Sequence, residues 1–148
     1  MKAAPTLDGR LRIDAETEID LMVLRAIVTD AVRHGHALAD YLAGGMPDEL
    51  QADWEHFVTA DLQQQFDGQL AYVAEELKSL EVGQPLFIDR QQADSWYGAL
   101  NQARLSLEEK HRFGSASPDE LSDESRDAMR RSHFYLAVQN LLLDFLMQ

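Results

Sequence analysis

The sequence predicts an all-α protein, an antiparallel bundle of four to five helices with a short N-terminal β-hairpin. Four long segments carry apolar residues every three to five positions, the period of a helix that buries one face. Short stretches rich in glycine and proline, "AGGMP", "EVGQP" and "FGSASP", separate them. Short links favour antiparallel neighbours in one bundle. We therefore predict a single helical domain over residues 1–148, with an edge hairpin at 1–13 and the bundle at 14–147.

Composition and charge restrict the function. The chain has 148 residues, 45% of them apolar, which suits one globular domain. Its 13 basic and 26 acidic residues give a net charge of −13, which opposes contact with nucleic acid and disfavours a transcriptional regulator. Cysteine is absent, and the longest apolar stretch, "LMVLRAIV", is too short to cross a membrane. We expect a cytoplasmic protein that binds neither nucleic acid nor membranes.

The N-terminal segment is expected to form the hairpin and then the first helix. Asp8-Gly9 is a favoured two-residue turn between short apolar segments. Asp14 has the side chain of a helix N-cap, and acidic residues follow it in the first turn. The helix is expected to continue to about Leu42. Its main apolar stripe contains Ile19, Met22, Val23, Ala26, Ile27 and Ala31.

The other three helices have recognisable ends. The second is expected to span residues 48–80, and the third to begin after a cap at Asp89 and to end at "FGSASP". Ser117-Pro118 is typical of a helix start, so the last helix begins there or is restarted at Ser122. This last helix, which runs to the C-terminus, is apolar on nearly every side at its end.

The third helix carries an unusual polar stripe formed by Tyr97, Asn101, Arg104 and Glu108. Apolar positions flank this stripe on both sides of the helical wheel, so its side chains should be partly buried and paired. Arg104 and Glu108 are four positions apart and can reach one another. One interpretation is a clamp that fixes the register of a neighbouring helix. The alternatives are a small-ligand or peptide site, or a catalytic site, built on the same stripe.

Asp61-Leu62 in one segment, and Trp96, Leu100-Asn101 and Arg104-Leu105 in a second, match the pattern of a known family. Through these residues the chain resembles an uncharacterised bacterial family, the DUF2017 family of unknown function. The resemblance spans residues 18–147 and implies a cytoplasmic, largely helical protein, often encoded near the adaptor of the Clp protease. It implies no activity. The chain departs from the family pattern at His56, where arginine is usual, and at "EEKHRF".

The last helix is the strongest lead to a protein partner. Leu142, Phe145 and Leu146 cover so much of its circumference that they are either central in the bundle or part of a homodimer or partner interface. Arg130 and Arg131 form part of a basic spot near its start. This spot either complements helix ends and nearby acidic residues or docks an acidic partner.

Chemical motifs give no support for catalysis. The chain has no nucleophile turn, phosphate loop or dinucleotide fingerprint. Glu108 and His111 have the spacing of a di-iron pair, but the second pair that such sites need is missing, so we predict no metal site and no cofactor. The sequence favours a non-enzymatic interaction or regulatory protein, linked by resemblance to Clp-type proteolysis. A small-ligand-binding protein or an enzyme that uses the polar stripe is the alternative.

Overall fold

The computed structural model describes residues 1–32, 47, 48, 50, 60–114 and 116–148, and the described chain is mostly helical with a small antiparallel sheet. The predicted end of the first helix at Leu42 and the departure from the family pattern at His56 lie outside the described residues. The elements are β1 (Lys2–Pro5), β2 (Leu11–Asp14), α1 (Glu18–Ala31), α2 (Ala60–Lys78), β3 (Pro85–Ile88), α3 (Ala93–His111), a 3₁₀ turn (Pro118–Glu120) and α4 (Asp123–Phe145).

Helix α3 lies at the centre of the described bundle. It packs against α1, α2 and α4, and it buries small residues among large ones along its length. Gly98 faces α2, where the end of the Gln69 side chain occupies the space that a Cβ atom would need. A helix that contacts three others needs such small residues for close approach. The buried residues of α3 are Ala93, Trp96, Ala99, Leu100, Gln102, Ala103, Ser106 and Leu107.

The sheet has three strands in the order β1-β2-β3, where the sequence predicted only a hairpin. The third strand, "PLFI", lies where the sequence predicted a link between helices, although its short apolar run bounded by turn residues is typical of a strand. It pairs with β2 in the register Ile13↔Leu86 and Leu11↔Ile88, and all four side chains are buried. The predicted fold is therefore confirmed in part, because the described chain is mostly helical but a third strand extends the hairpin to a small sheet.

The loop between β1 and β2 is longer than the predicted two-residue turn. It covers residues 6–10 and is closed by a 2.8 Å hydrogen bond from the amide of Thr6 to the carbonyl of Arg10. Gly9 has a φ of 88°, a conformation that side chains with a Cβ rarely adopt. Leu7 is fully exposed in this loop.

Helix α1 begins later than predicted. Asp14 is the last residue of β2, and the N-cap is Thr17, whose hydroxyl accepts a 3.1 Å hydrogen bond from the amide of Asp20. The carboxylate of Asp20 accepts from the amide of Thr17 in return, which completes a capping box. A Thr-x-x-Asp pair therefore sets the helix start, because Asp14 is held in an extended strand.

The buried face of α1 also differs from the predicted stripe. Leu21, Leu24 and Ile27 are buried, whereas Ile19 and Met22 are 72% and 68% exposed. Helix α1 is apolar around most of its circumference, so the spacing of its apolar residues is not enough to predict which side faces α3. As a result, the structure leaves large apolar side chains on the outer face of α1.

Local hydrogen bonds from the backbone to side chains mark the starts of α3 and α4. The carboxylate of Asp89 accepts a 3.1 Å bond from the amide of Gln92, so Asp89 caps the turn before α3, and Gln92 is the N-cap of α3 itself. Ser117 precedes only the 3₁₀ turn. The last helix is restarted at Ser122, whose hydroxyl accepts from the amide of Ser125.

Candidate functional site

A groove of about 490 Å³ lies between α1 and α4. Both helices pack on α3, and the groove is the space that their outer faces leave on that side. Its lining is mostly apolar, with charged side chains only on the α4 side. The lining residues are Met1, Ile19, Met22, Val23, Ala26, Asp127, Arg130, Arg131 and Phe134.

The groove combines an apolar surface with a polar rim. Ile19 and Met22 project from α1 into solvent, and Phe134 contributes a half-buried ring from α4. At the rim, a guanidinium nitrogen of Arg130 lies 3.3 Å from Asp127, and this ion pair is exposed. Exposed ion pairs of this kind contribute little to stability, so Arg130 is able to bind another carboxylate. The predicted interface residue Arg130 is thus accessible.

The second predicted basic residue, Arg131, is already occupied. Its guanidinium donates two hydrogen bonds to the carboxylate of Asp30, of 2.8 and 3.0 Å, and joins α4 to α1. The hydroxyl of Tyr135 donates to the same carboxylate at 2.8 Å, and it also lies 3.2 Å from the carbonyl of Val23. The bond to Asp30 raises the pKa of Arg131, while burial raises the pKa of Tyr135. Arg131 therefore holds one wall of the groove in place.

The polar stripe of α3 contacts α4 in its middle. Arg104 donates a 2.7 Å hydrogen bond to the side-chain carbonyl of Gln139, which is buried, and the amide of Gln139 donates to the carbonyl of Tyr97 at 3.4 Å. Asn101 is half-buried beside them. This arrangement is compatible with the clamp interpretation, although the role of the stripe stays a prediction.

Arg104 and Glu108, although four positions apart, have different hydrogen-bond partners. Glu108 is exposed and accepts a 3.4 Å bond from the amide of Gly114, and within the described part of the chain no ion pair joins it to Arg104. The reason is geometric, because Arg104 reaches across to α4 while Glu108 lies at the exposed end of α3. The stripe therefore splits into a half-buried part and an exposed end.

A second, smaller cleft of about 330 Å³ lies near His111, between the end of α1 and the junction of α3 and α4. The ring nitrogen Nδ1 of His111 lies 2.9 Å from the hydroxyl of Ser125, and burial lowers the pKa of His111, with a further contribution from Lys110. A neutral imidazole can accept a proton from a neighbouring hydroxyl. None of the four stripe residues lines this cleft or the groove.

The C-terminal apolar residues divide between the core and the surface. Leu142 and Leu146 are buried, so these two predicted interface residues belong to the core. Phe145 is partly exposed, as is Leu143, which the prediction did not single out. An interface on this helix would therefore use residues other than Leu142 and Leu146.

Sequence reasoning missed three side chains that position these helices. Asp30 and Gln139 are paired with residues at least 35 positions away, and such separations leave no local pattern. Arg25 donates to the carbonyls of Leu77 and Leu80 and so satisfies the end of α2. Arg25 and Gln139 are single polar residues within apolar stretches of the sequence. This pattern could have identified them, because a polar side chain in such a position is expected to have a buried hydrogen-bond partner.

The described residues contain no group of three His, Asp or Glu side chains close enough to hold a metal ion. Over the same part of the chain, every helix is too short or too polar to span a bilayer.

The fold and the groove together define a small acidic helical protein with an exposed apolar surface between two of its helices. The chain matches the model of the family described as "Domain of unknown function (DUF2017)" over residues 4–146, and it belongs to this family. No curated protein and no solved structure matches the chain.

Proposed function

We propose that this protein is a non-enzymatic protein-interaction module that binds an amphipathic helix of a partner protein in the groove between α1 and α4. The observation that supports this proposal is the exposure of Ile19 and Met22 on α1, next to the ring of Phe134. Scattered apolar residues are normal on a surface, whereas neighbouring ones that line a single groove are typical of a binding site.

The size and lining of the groove suit a helix. From Ile19 to Ala26 the groove follows about 10 Å of α1, which is two helical turns. A partner helix presents apolar residues at positions i, i+3 or i+4 over the same distance. The flexible side chain of Met22 adapts to different partner side chains, as methionines in helix-binding grooves do. The groove therefore has the dimensions and chemistry for two or three apolar anchors.

Arg130 indicates the polar group that the partner carries. It lies at the rim of the groove with an exposed guanidinium, and its own pair with Asp127 is weak. A carboxylate on the partner helix, beside its apolar anchors, would form a charge-assisted bond with Arg130. We therefore propose a partner helix with an apolar face and at least one acidic residue at its edge.

The family resemblance suggests where to look for the partner. Its implied gene neighbourhood, next to the adaptor of the Clp protease, makes the components of Clp-type proteolysis the first proteins to test. The proposal includes a cytoplasmic location and a role in regulation through binding. It does not require a cofactor.

Met22→Asp is expected to weaken binding of a purified partner about 30-fold, close to 2 kcal/mol, because a charged side chain would be buried against an apolar anchor. The partner would be obtained by cross-linking in the native cell and then titrated in purified form by calorimetry. Leu7→Asp is the matched control, because Leu7 is equally apolar, fully exposed and located in the β1–β2 loop. Equal affinity of both variants for every purified partner would reject the groove as the binding site.

The alternative function places a ligand-binding or catalytic site on the polar stripe, whereas the clamp interpretation gives the stripe a structural role. The effect of Arg104→Ala distinguishes the two. If Arg104 is a clamp, Arg104→Ala is expected to lower the free energy of unfolding by about 2 kcal/mol, because the buried carbonyl of Gln139 loses its donor. Urea unfolding measures this loss, and Glu108→Ala is the control from the exposed end of the same stripe. A fully stable Arg104→Ala protein that has lost a ligand would favour the alternative.

A further inference from the structure

Helix α4 has an exposed row of residues that is separate from the groove. We call it the outer seam, and it consists of His133, Leu136, Asn140 and Leu143. All four are exposed, with Leu136 at 37% and Leu143 at 42%. They alternate in steps of three and four residues, which is the spacing of positions a and d in a coiled coil. In this assignment His133 and Asn140 occupy a, while the two leucines occupy d.

The residues beside the outer seam supply a pattern of charge. Arg130, Ala137 and Asp144 occupy the neighbouring e position, and all three are exposed. The basic residue lies seven positions before the alanine, and the acidic residue lies seven positions after it. A second copy of this helix, placed antiparallel and centred near Ala137, would therefore bring Arg130 beside the partner's Asp144 at both ends. In parallel pairing an e residue faces a g residue of the other helix, so Arg130 and Asp144 would not meet.

The antiparallel register also matches the seam itself. Antiparallel helices place an a residue of one chain beside a d residue of the other. His133 then packs on the partner's Leu143, and Leu136 packs beside the partner's Asn140. A polar residue at an a position, such as Asn140, specifies register at some cost in stability. Ala137 meets its own copy at the centre, where a small side chain permits close approach of the two backbones.

We propose that the outer seam is a self-association surface, through which two copies of this chain pair by antiparallel contact of their α4 helices. The contact covers about 20 Å of helix, so the buried area is small and the dimer is weak and reversible. The net charge of −13 on each copy opposes association at long range, and it is screened at physiological salt, where the Debye length is about 8 Å. The outer seam adjoins the apolar groove at Arg130, which also lines the groove, so Asp144→Arg and Met22→Asp, each confined to one surface, separate the two proposals.

Two charge-reversed variants of the full chain, Arg130→Glu and Asp144→Arg, test this proposal. Analytical ultracentrifugation would be carried out at concentrations up to about 0.3 mM, at which a weak dimer with a small interface is populated. The wild type is expected to self-associate. Each single variant is expected to associate about tenfold more weakly, because each places like charges together at both ends of the contact.

The mixture of the two variants provides the decisive result. In a mixed pair, the glutamate introduced at position 130 of one chain would face the arginine introduced at position 144 of the other, and the native pair is kept at the opposite end. Association is therefore expected to return to at least the wild-type level. Met22→Asp, which alters only the groove, is expected to associate like the wild type.

Three outcomes would each overturn the proposal: a monomeric wild type, single variants with unchanged association, or a mixture that does not recover. Circular dichroism of each variant verifies that the exposed substitutions leave the helices intact.

Discussion

Trp96→Ala is expected to lower the free energy of unfolding by about 4 kcal/mol, near the upper end of the range for truncations in a protein core. Trp96 is 1% exposed and lies on α3, the helix that packs against α1, α2 and α4. Its truncation removes the largest of the fully buried side chains in the described part of the chain and leaves a cavity that the central helix cannot close without moving away from its neighbours.

The contribution of Trp96 is expected to come from packing alone. Within the described residues its indole nitrogen has no hydrogen-bond partner, so truncation removes no polar interaction. Urea unfolding of the wild type and of Trp96→Phe and Trp96→Ala would measure the graded loss, with Leu7→Ala as the exposed control. We expect a loss of about 1.5 kcal/mol for the phenylalanine variant, which remains folded and measurable if the alanine variant does not. A loss below about 1 kcal/mol in Trp96→Ala would contradict the central position of α3.

The helices could be predicted because their apolar period is long and their ends carry local signals. The pattern on α3 predicted a helix that is partly polar and largely buried, and Ser122 was one of two starts considered for α4. These features depend on residues within one or two turns of each other. Local hydrogen bonds and side-chain periodicity are both visible in a sequence, since neither depends on the rest of the fold.

The third strand and the buried face of α1 could not be predicted in the same way. β3 is four residues long, and its stability comes from pairing with β2, which lies about 70 positions earlier in the chain. Helix α1 has apolar residues on two faces, and its contact with α3 decides that Leu24 is buried and Met22 is exposed. Both outcomes depend on tertiary contacts that no local pattern specifies.

The candidate groove was hidden for a related reason. Sequence reasoning placed Ile19 and Met22 in the core and searched for an interface among the last residues of α4. The structure exposes the two α1 residues and buries Leu142 and Leu146, which agrees with the alternative that placed these two leucines in the centre of the bundle. An apolar residue on a nearly all-apolar helix has the same sequence signature in a core and in a binding groove.

The second large effect is expected from Asp30→Ala, which should lower the free energy of unfolding by about 3 kcal/mol. The side chain of Asp30 is 9% exposed and accepts bonds from Arg131 and Tyr135. A carboxylate in the last turn of a helix opposes the helix dipole, and α1 has no basic residue in that turn. The guanidinium of Arg131 on α4 therefore offsets both the unfavourable helix dipole and the cost of burying the carboxylate. Urea unfolding would measure the loss, and Asp67→Ala, at an exposed site on α2, is expected to change stability by less than about 0.5 kcal/mol.

A double-variant cycle shows whether this loss of stability comes from leaving Arg131 unpaired or from separate contacts of Asp30 and Arg131. If the cost of Asp30→Ala comes mainly from leaving Arg131 without its carboxylate, replacing both residues with apolar ones should recover most of it, as for other buried ion pairs. We expect Asp30→Leu/Arg131→Met to lie within about 1 kcal/mol of the wild type, and the two single changes to show a coupling energy of about 2 kcal/mol. Additive losses would show instead that the two residues act through separate contacts. In that case the wall between α1 and α4 would depend on Tyr135, which also contacts the backbone of α1 at Val23.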